Sequence, residues 1–144
     1  MKRNNIISYH KSNYSILIPL FLDKVPAGFP SPADDYMEKS LDLNEHLIKH
    51  PAATFYCRVS GDSMVGIGIH DGDLLIVDRA LEPHQGDVVL AALNGELTCK
   101  LLDIRHKQLL SSNKHYPPIP IADHSDLVIE GVVINSIRQH RCSP

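Results

Sequence analysis

A mostly β protein with an N-terminal arm is the fold class this sequence predicts, and three observations predict it. From Thr54 onward the chain runs through "TFYCRVS", "DLLIVD", "DVVLAAL", "ELTCKLL" and "LVIEGVVINSI", segments rich in β-branched and aromatic residues and separated by Gly, Asp, Asn and Pro. Between two of these runs stands Asn94-Gly95, the pair that a type I′ turn favours because both central residues take positive φ. That turn makes "DVVLAAL" and "ELTCKLL" antiparallel neighbours. The third observation is a contrast: residues 1 to about 35 lack sustained periodicity and hold Pro19, Pro26, Pro30 and Pro32, which fix their own φ and donate no backbone hydrogen bond. We therefore expect a flexible arm over residues 1–40 and a single compact β domain over residues 41–144.

Composition supports one core and excludes several function classes. With 144 residues, 43% of them hydrophobic, the chain can bury a single domain core. A formal charge of −3 with interspersed signs lacks the basic footprint of a dedicated nucleic-acid binder, so no direct sequence-specific DNA binding is expected. The apolar patch "SILIPLFL" is too short for a membrane span and is broken by Pro19, which points to a soluble, unsecreted protein with the cytoplasm as its compartment. Three cysteines, Cys57, Cys99 and Cys142, cannot all pair and form no CxxC, as expected of a reducing compartment without a disulfide framework or zinc site.

Histidines raise a metal question. His46 and His50 in "HLIKH" would share a helix face, but the glutamate of HExxH is absent and no third ligand stands at a suitable spacing. Asp42 and Glu45 read as a capping pair opening a short helix that Pro51 closes, which puts these histidines on its surface. No metal or cofactor is expected.

The chemistry centres on Ser63. In "VSGDSMVGIGIHDGDLLIVD" it follows a predicted strand and sits near Gly61, where the chain turns sharply. Read alone, "SGDS" is a polar turn whose side chains bond the local backbone. Lys100 is the second residue of interest. Alternation along "ELTCKLL" places Leu97, Cys99 and Leu101 on one face and Glu96, Thr98, Lys100 and Leu102 on the other, without selecting Lys100 over Glu96.

"SGDSM", then "GIHDGDLLIVD", then "GDVVLAALNGELTCK" resemble, in order, the motifs of the LexA/UmuD family of self-cleaving serine-lysine peptidases, and "GFPSPADDY" resembles the UmuD-type arm. The likeness runs from about Pro19 to about Ile134. It implies a LexA-like, UmuD-like β fold with Ser63 as nucleophile, Lys100 as general base and Ala27-Gly28 as the bond cut. Ala27 stands where UmuD-type relatives carry cysteine and resembles the LexA-type Ala-Gly bond. Gly66 stands where relatives carry a larger, often polar residue, an exchange expected to loosen the turn after the nucleophile. As partners the resemblance implies a RecA filament on single-stranded DNA acting as coprotease, a UmuC-like Y-family DNA polymerase engaged in translesion synthesis, and a second copy of the chain in a homodimer.

Physical chemistry gives these roles content. A serine hydroxyl needs an adjacent base, and lysine serves only when neutral. At the ordinary pKa of ~10.4 about one lysine in 2,500 is neutral at pH 7, so burial must lower the value, and Leu97, Cys99, Leu101 and Leu102 are apolar flanks suited to that. The backbone N–H of Ser63, with that of Asp62 or Met64, is the expected oxyanion hole. Ala27 and Gly28 make a slim bond that Pro26 and Pro30 keep out of regular structure. From Gly28 to Thr54 the chain can stretch about 85 Å, enough to reach its own site or a partner's. Three other functions compete. A LexA- or phage-type repressor would need a helix-turn-helix domain that 27 residues ahead of the bond cannot hold, and a signal-peptidase-like enzyme would need a membrane anchor. A non-cleaving polymerase subunit would leave Ser63 and Lys100 as relics.

Overall fold

The computed structural model describes residues 15–21, 24–30, 38–122 and 126–141; residues 31–37, with Pro32, and Cys142 lie outside them. By internal contacts the chain divides into two units, Met1–Pro51 and Ala52–Pro144.

The first unit holds a strand pair that composition does not suggest. β1 (Ile18–Phe21) runs antiparallel to β2 (Glu38–Leu41), with Pro19 opposite Ser40. Proline survives there because a two-stranded sheet has only edge strands. Asp42 then caps α1 (Leu43–Leu47), accepting the Asn44 N–H at 3.0 Å through one carboxylate oxygen and the Ser15 hydroxyl at 3.0 Å through the other. The helix closes before His50, so His46 and His50 do not share a helical face. Between β1 and β2, residues 24–30 are irregular and exposed throughout, with Phe29 92% accessible.

The second unit is one antiparallel sheet of seven strands: β3 (Thr54–Arg58), β4 (Leu74–Asp78), β5 (Val88–Leu93), β6 (Glu96–Asp103), β7 (Gln108–Leu110), β8 (Ile119–Pro120) and β9 (Val128–Ile137), in the spatial order β3-β4-β9-β5-β6-β7-β8. The expected hairpin is present. Asn94 and Gly95 take φ of 50° and 82°, and the strands leave the turn with Leu93 opposite Glu96.

Apolar clusters explain why the strands read as nearly continuous hydrophobic runs. Leu75, Val77, Leu90 and Cys99 gather around Met64 and Ile69, whereas Val89, Ala91 and Leu102 gather around Leu109. Neighbouring residues of one strand therefore serve different clusters, and alternation is erased. β9 pairs with β4 along one stretch and β5 along another, and its register slips once against each.

Two turns of the same sequence pattern feed β4 and β5. In His70-Asp71-Gly72-Asp73 the Asp73 carboxylate accepts the His70 N–H at 2.8 Å, and in His84-Gln85-Gly86-Asp87 the Asp87 carboxylate accepts the His84 N–H at 2.8 Å. The glycine N–H donates in each case to a neighbouring strand or its extension, Gly72 to Val59 and Gly86 to Leu102, both at 2.8 Å. The first turn is also an ionic anchor: buried Asp73 accepts two hydrogen bonds from Arg138, at 3.0 and 2.9 Å, and Arg138 also donates to the Gly68 carbonyl.

Hydrogen bonding from Arg138, opposed by burial and aided by the His70 N–H, lowers the Asp73 pKa to about 2. The unfolded carboxyl titrates near ~3.9, so this contribution is complete above that value and is lost as pH falls toward 2. Asp73→Ala is expected to cost about 2–3 kcal/mol at pH 7. Urea midpoints of wild type and variant should converge at pH 2.5, and an equal gap at both pH values would contradict the assignment.

Candidate active site

Ser63 is displayed by a turn pinned on several sides. β3 ends at Arg58, and the chain turns through Gly61, whose N–H donates to the Asp71 carboxylate at 2.8 Å. One residue past Ser63, the Met64 side chain is buried at 2% exposure in the core cluster, and Ile69 is buried beyond the 3₁₀ turn Val65–Ile67. Buried apolar anchors thus follow a half-buried serine.

From the other side comes the segment after β7. The Asn113 side-chain amide donates to the Asp62 carbonyl at 3.0 Å, the Tyr116 hydroxyl donates to the Asp62 carboxylate, and the Gly66 N–H donates to the Ser112 carbonyl at 2.8 Å. The Asp62 carboxylate in turn raises the Tyr116 pKa. Gly66 draws this turn in rather than loosening it. A Cβ at that position would lie 2.5 Å from the Ser112 carbonyl oxygen, so only glycine permits the approach as built.

β6 delivers Lys100. It lies opposite Val89 in the sheet interior, and its Nζ stands 3.0 Å from Ser63 Oγ and 3.2 Å from the Cys99 carbonyl oxygen. The residue is 8% exposed, and among the described residues no carboxylate pairs with it. Burial lowers its pKa from the usual lysine value, while the neighbouring Cys99 opposes this more weakly. The Cys99 thiol is pushed up to about 11 by burial and stays protonated at neutral pH. Cys57 and Cys99 are both free.

A cleft of about 140 Å³ opens beside the serine, lined by Val59, Leu75, Leu90, Leu97 and Cys99 with the polar Arg58 and Ser60. It is small and largely apolar. Among the described residues, the backbone amides of Ser63 and Met64 donate to no protein acceptor. Ala27 and Gly28 lie in the exposed irregular stretch of the first unit, where a Cβ on Gly28 would meet nothing within 4 Å.

Sequence reasoning missed Ser112, Asn113, Tyr116, Asp71 and Arg138. Asp71 lay inside a quoted motif without a role, and the others carry no local signal because their partners are 46 to 70 residues away.

Comparisons with known proteins agree with this geometry. The profile of the family described as Peptidase S24-like matches residues 19–134. Protein SamA of Salmonella typhimurium is 48% identical over 124 residues, covering 85% of this chain and 86% of its own. Protein ImpA of Escherichia coli is 46% identical over 127 residues, 88% of each chain. The LexA repressor of Photobacterium profundum is 39% identical over 124 residues, 84% of this chain and 64% of the repressor. No helix among the described residues is long and apolar enough to cross a membrane.

Proposed function

Because this chain belongs to the Peptidase S24-like family, we propose that it is a UmuD-like latent autopeptidase of the SOS response, cutting itself between Ala27 and Gly28. The observation that carries this reading is the 3.0 Å approach of a buried, carboxylate-free Lys100 Nζ to Ser63 Oγ. A neutral Nζ has one lone pair and two N–H bonds. One N–H donates to the Cys99 carbonyl, leaving the lone pair to accept the Ser63 proton.

Ser63 Oγ then attacks the Ala27 carbonyl carbon as its proton passes to Nζ. The oxyanion is received by the free N–H groups of Ser63 and Met64, and the ammonium returns the proton to the departing Gly28 nitrogen. Water, deprotonated by the same amine, hydrolyses the Ala27 ester. RecA on single-stranded DNA acts by favouring the arm conformation that enters the cleft and supplies no reacting group. The trimmed chain, as a homodimer, serves a UmuC-like Y-family polymerase.

Alkaline incubation tests the reading. At about pH 10 the purified wild-type chain is expected to cut itself slowly without RecA, because deprotonating Lys100 replaces part of the activation. Intact mass spectrometry should find new termini at Ala27 and Gly28, and Ser63→Ala should stay whole. A wild-type chain that stays intact would instead support the non-cleaving subunit.

A further inference from the structure

The nucleophile turn is held through the peptide that precedes Ser63. In a planar trans peptide the C=O and N–H point in opposite directions, so whatever fixes the Asp62 carbonyl also fixes the Ser63 N–H. No cis peptide occurs among the described residues. The Asp62 carbonyl accepts the Asn113 side-chain amide at 3.0 Å and the Val65 N–H at 3.3 Å, while the Ser63 N–H on the far side of the same peptide has no protein acceptor. A peptide doubly bonded at its oxygen and free at its nitrogen is a polarised, aimed donor.

Asn113 is itself oriented. Its Oδ1 accepts the His115 N–H at 3.0 Å, which directs the amide nitrogen toward Asp62. Tyr116, three residues on, holds the Asp62 side chain, and Ser112 holds Gly66 from the preceding position. The segment therefore grips the turn at both ends, but only the Asn113 bond acts on the peptide that carries the Ser63 N–H.

We propose that Asn113 is a positioning residue for the oxyanion hole, aiming and polarising the Ser63 N–H through the Asp62 carbonyl. This rests on the self-cleaving reading above. It assigns Asn113 a part in stabilising the transition state and none in activating the nucleophile. Removing a direct oxyanion donor costs about 10²–10³ in rate, and a residue that only aims one is expected to cost about tenfold.

The test compares wild type, Asn113→Ala and Asn113→Asp as full chains. The aspartate keeps the shape and the bond to His115 but loses the donor, so it remains informative if the alanine variant folds poorly. Both variants should self-cleave about tenfold more slowly than wild type across pH 7–10.5, with the midpoint of the pH–rate profile unmoved because Lys100 is untouched. The Ser63 amide proton should move upfield in the nuclear magnetic resonance spectrum while resonances of β4 and β5 stay in place. A merely structural role would instead lower the unfolding temperature and shift the profile as Ser63 and Lys100 drift apart. Ser63-dependent cutting at the wild-type rate, or an unmoved Ser63 amide, overturns the inference while leaving the proposed function standing. A wild-type chain that never cuts removes both.

Discussion

Lys100→Ala should lower alkaline self-cleavage by about 10³–10⁴, to the limit of detection by intact mass spectrometry over a day, in line with removing a general base. Alanine also deletes a buried side chain, so a second variant isolates the proton chemistry. Lys100→Arg retains length and positive charge but stays protonated, because a guanidinium does not lose its proton in this pH range. The arginine variant should therefore be as inactive as alanine. Cutting by Lys100→Arg would mean that a cation near Ser63 suffices, and the base would have to be sought elsewhere.

The sign of the pH dependence follows from burial. Because the folded lysine has a lowered pKa, the unfolded chain binds more protons in the interval between the lowered value and 10.5, and folding stability from this site rises with pH there. Alkaline incubation thus relieves a cost of burying Lys100 while it generates the base. Faster cutting near pH 10 is therefore not a consequence of unfolding at this site.

Gly28→Val should block cutting by at least about a hundredfold while leaving the unfolding temperature unchanged, since steric exclusion from a site of fixed shape is costly whereas an exposed substitution is not. In the resting arm a Cβ at Gly28 meets nothing within 4 Å, so the fold has no reason to notice the change. The cleft beside Ser63 has about 140 Å³, roughly the space of five waters, and its apolar walls leave little room for a β-branched residue beside the bond. Circular dichroism melting checks the first half of the prediction and mass spectrometry at pH 10 the second. Cutting at the wild-type rate would remove Gly28 from the reacting bond.

How far the fold could be read depended on how local its determinants are. Asn94-Gly95 announced its hairpin because the required backbone signs reside in those two residues. Alternation along β6 left Glu96 and Lys100 equivalent, and the sheet separates them: Glu96 is exposed at the hairpin end, while Lys100 lies deeper under the Ser63 turn. The family motifs selected Lys100, a choice that periodicity could not make. The β1–β2 pair was hidden because Pro19 sits inside it, and β7 and β8 were hidden by their length of three and two residues. The grip of Ser112, Asn113 and Tyr116 on the serine turn is non-local, with nothing in either segment naming the other.

The position of the scissile bond between β1 and β2 gives the cut a meaning beyond shortening the chain. The Ala27-Gly28 bond belongs to the connection that tethers β1 to β2, and among the described residues each strand is the other's only sheet partner. A break there turns an intramolecular pairing of four residues into a bimolecular one, and so dilute a pairing of that length does not persist. β2 stays with the product, and its main-chain N–H and C=O groups are left open to whatever strand comes next. Cleavage, on this geometry, is an exchange of valence: it spends a covalent tether and leaves an adhesive edge in its place.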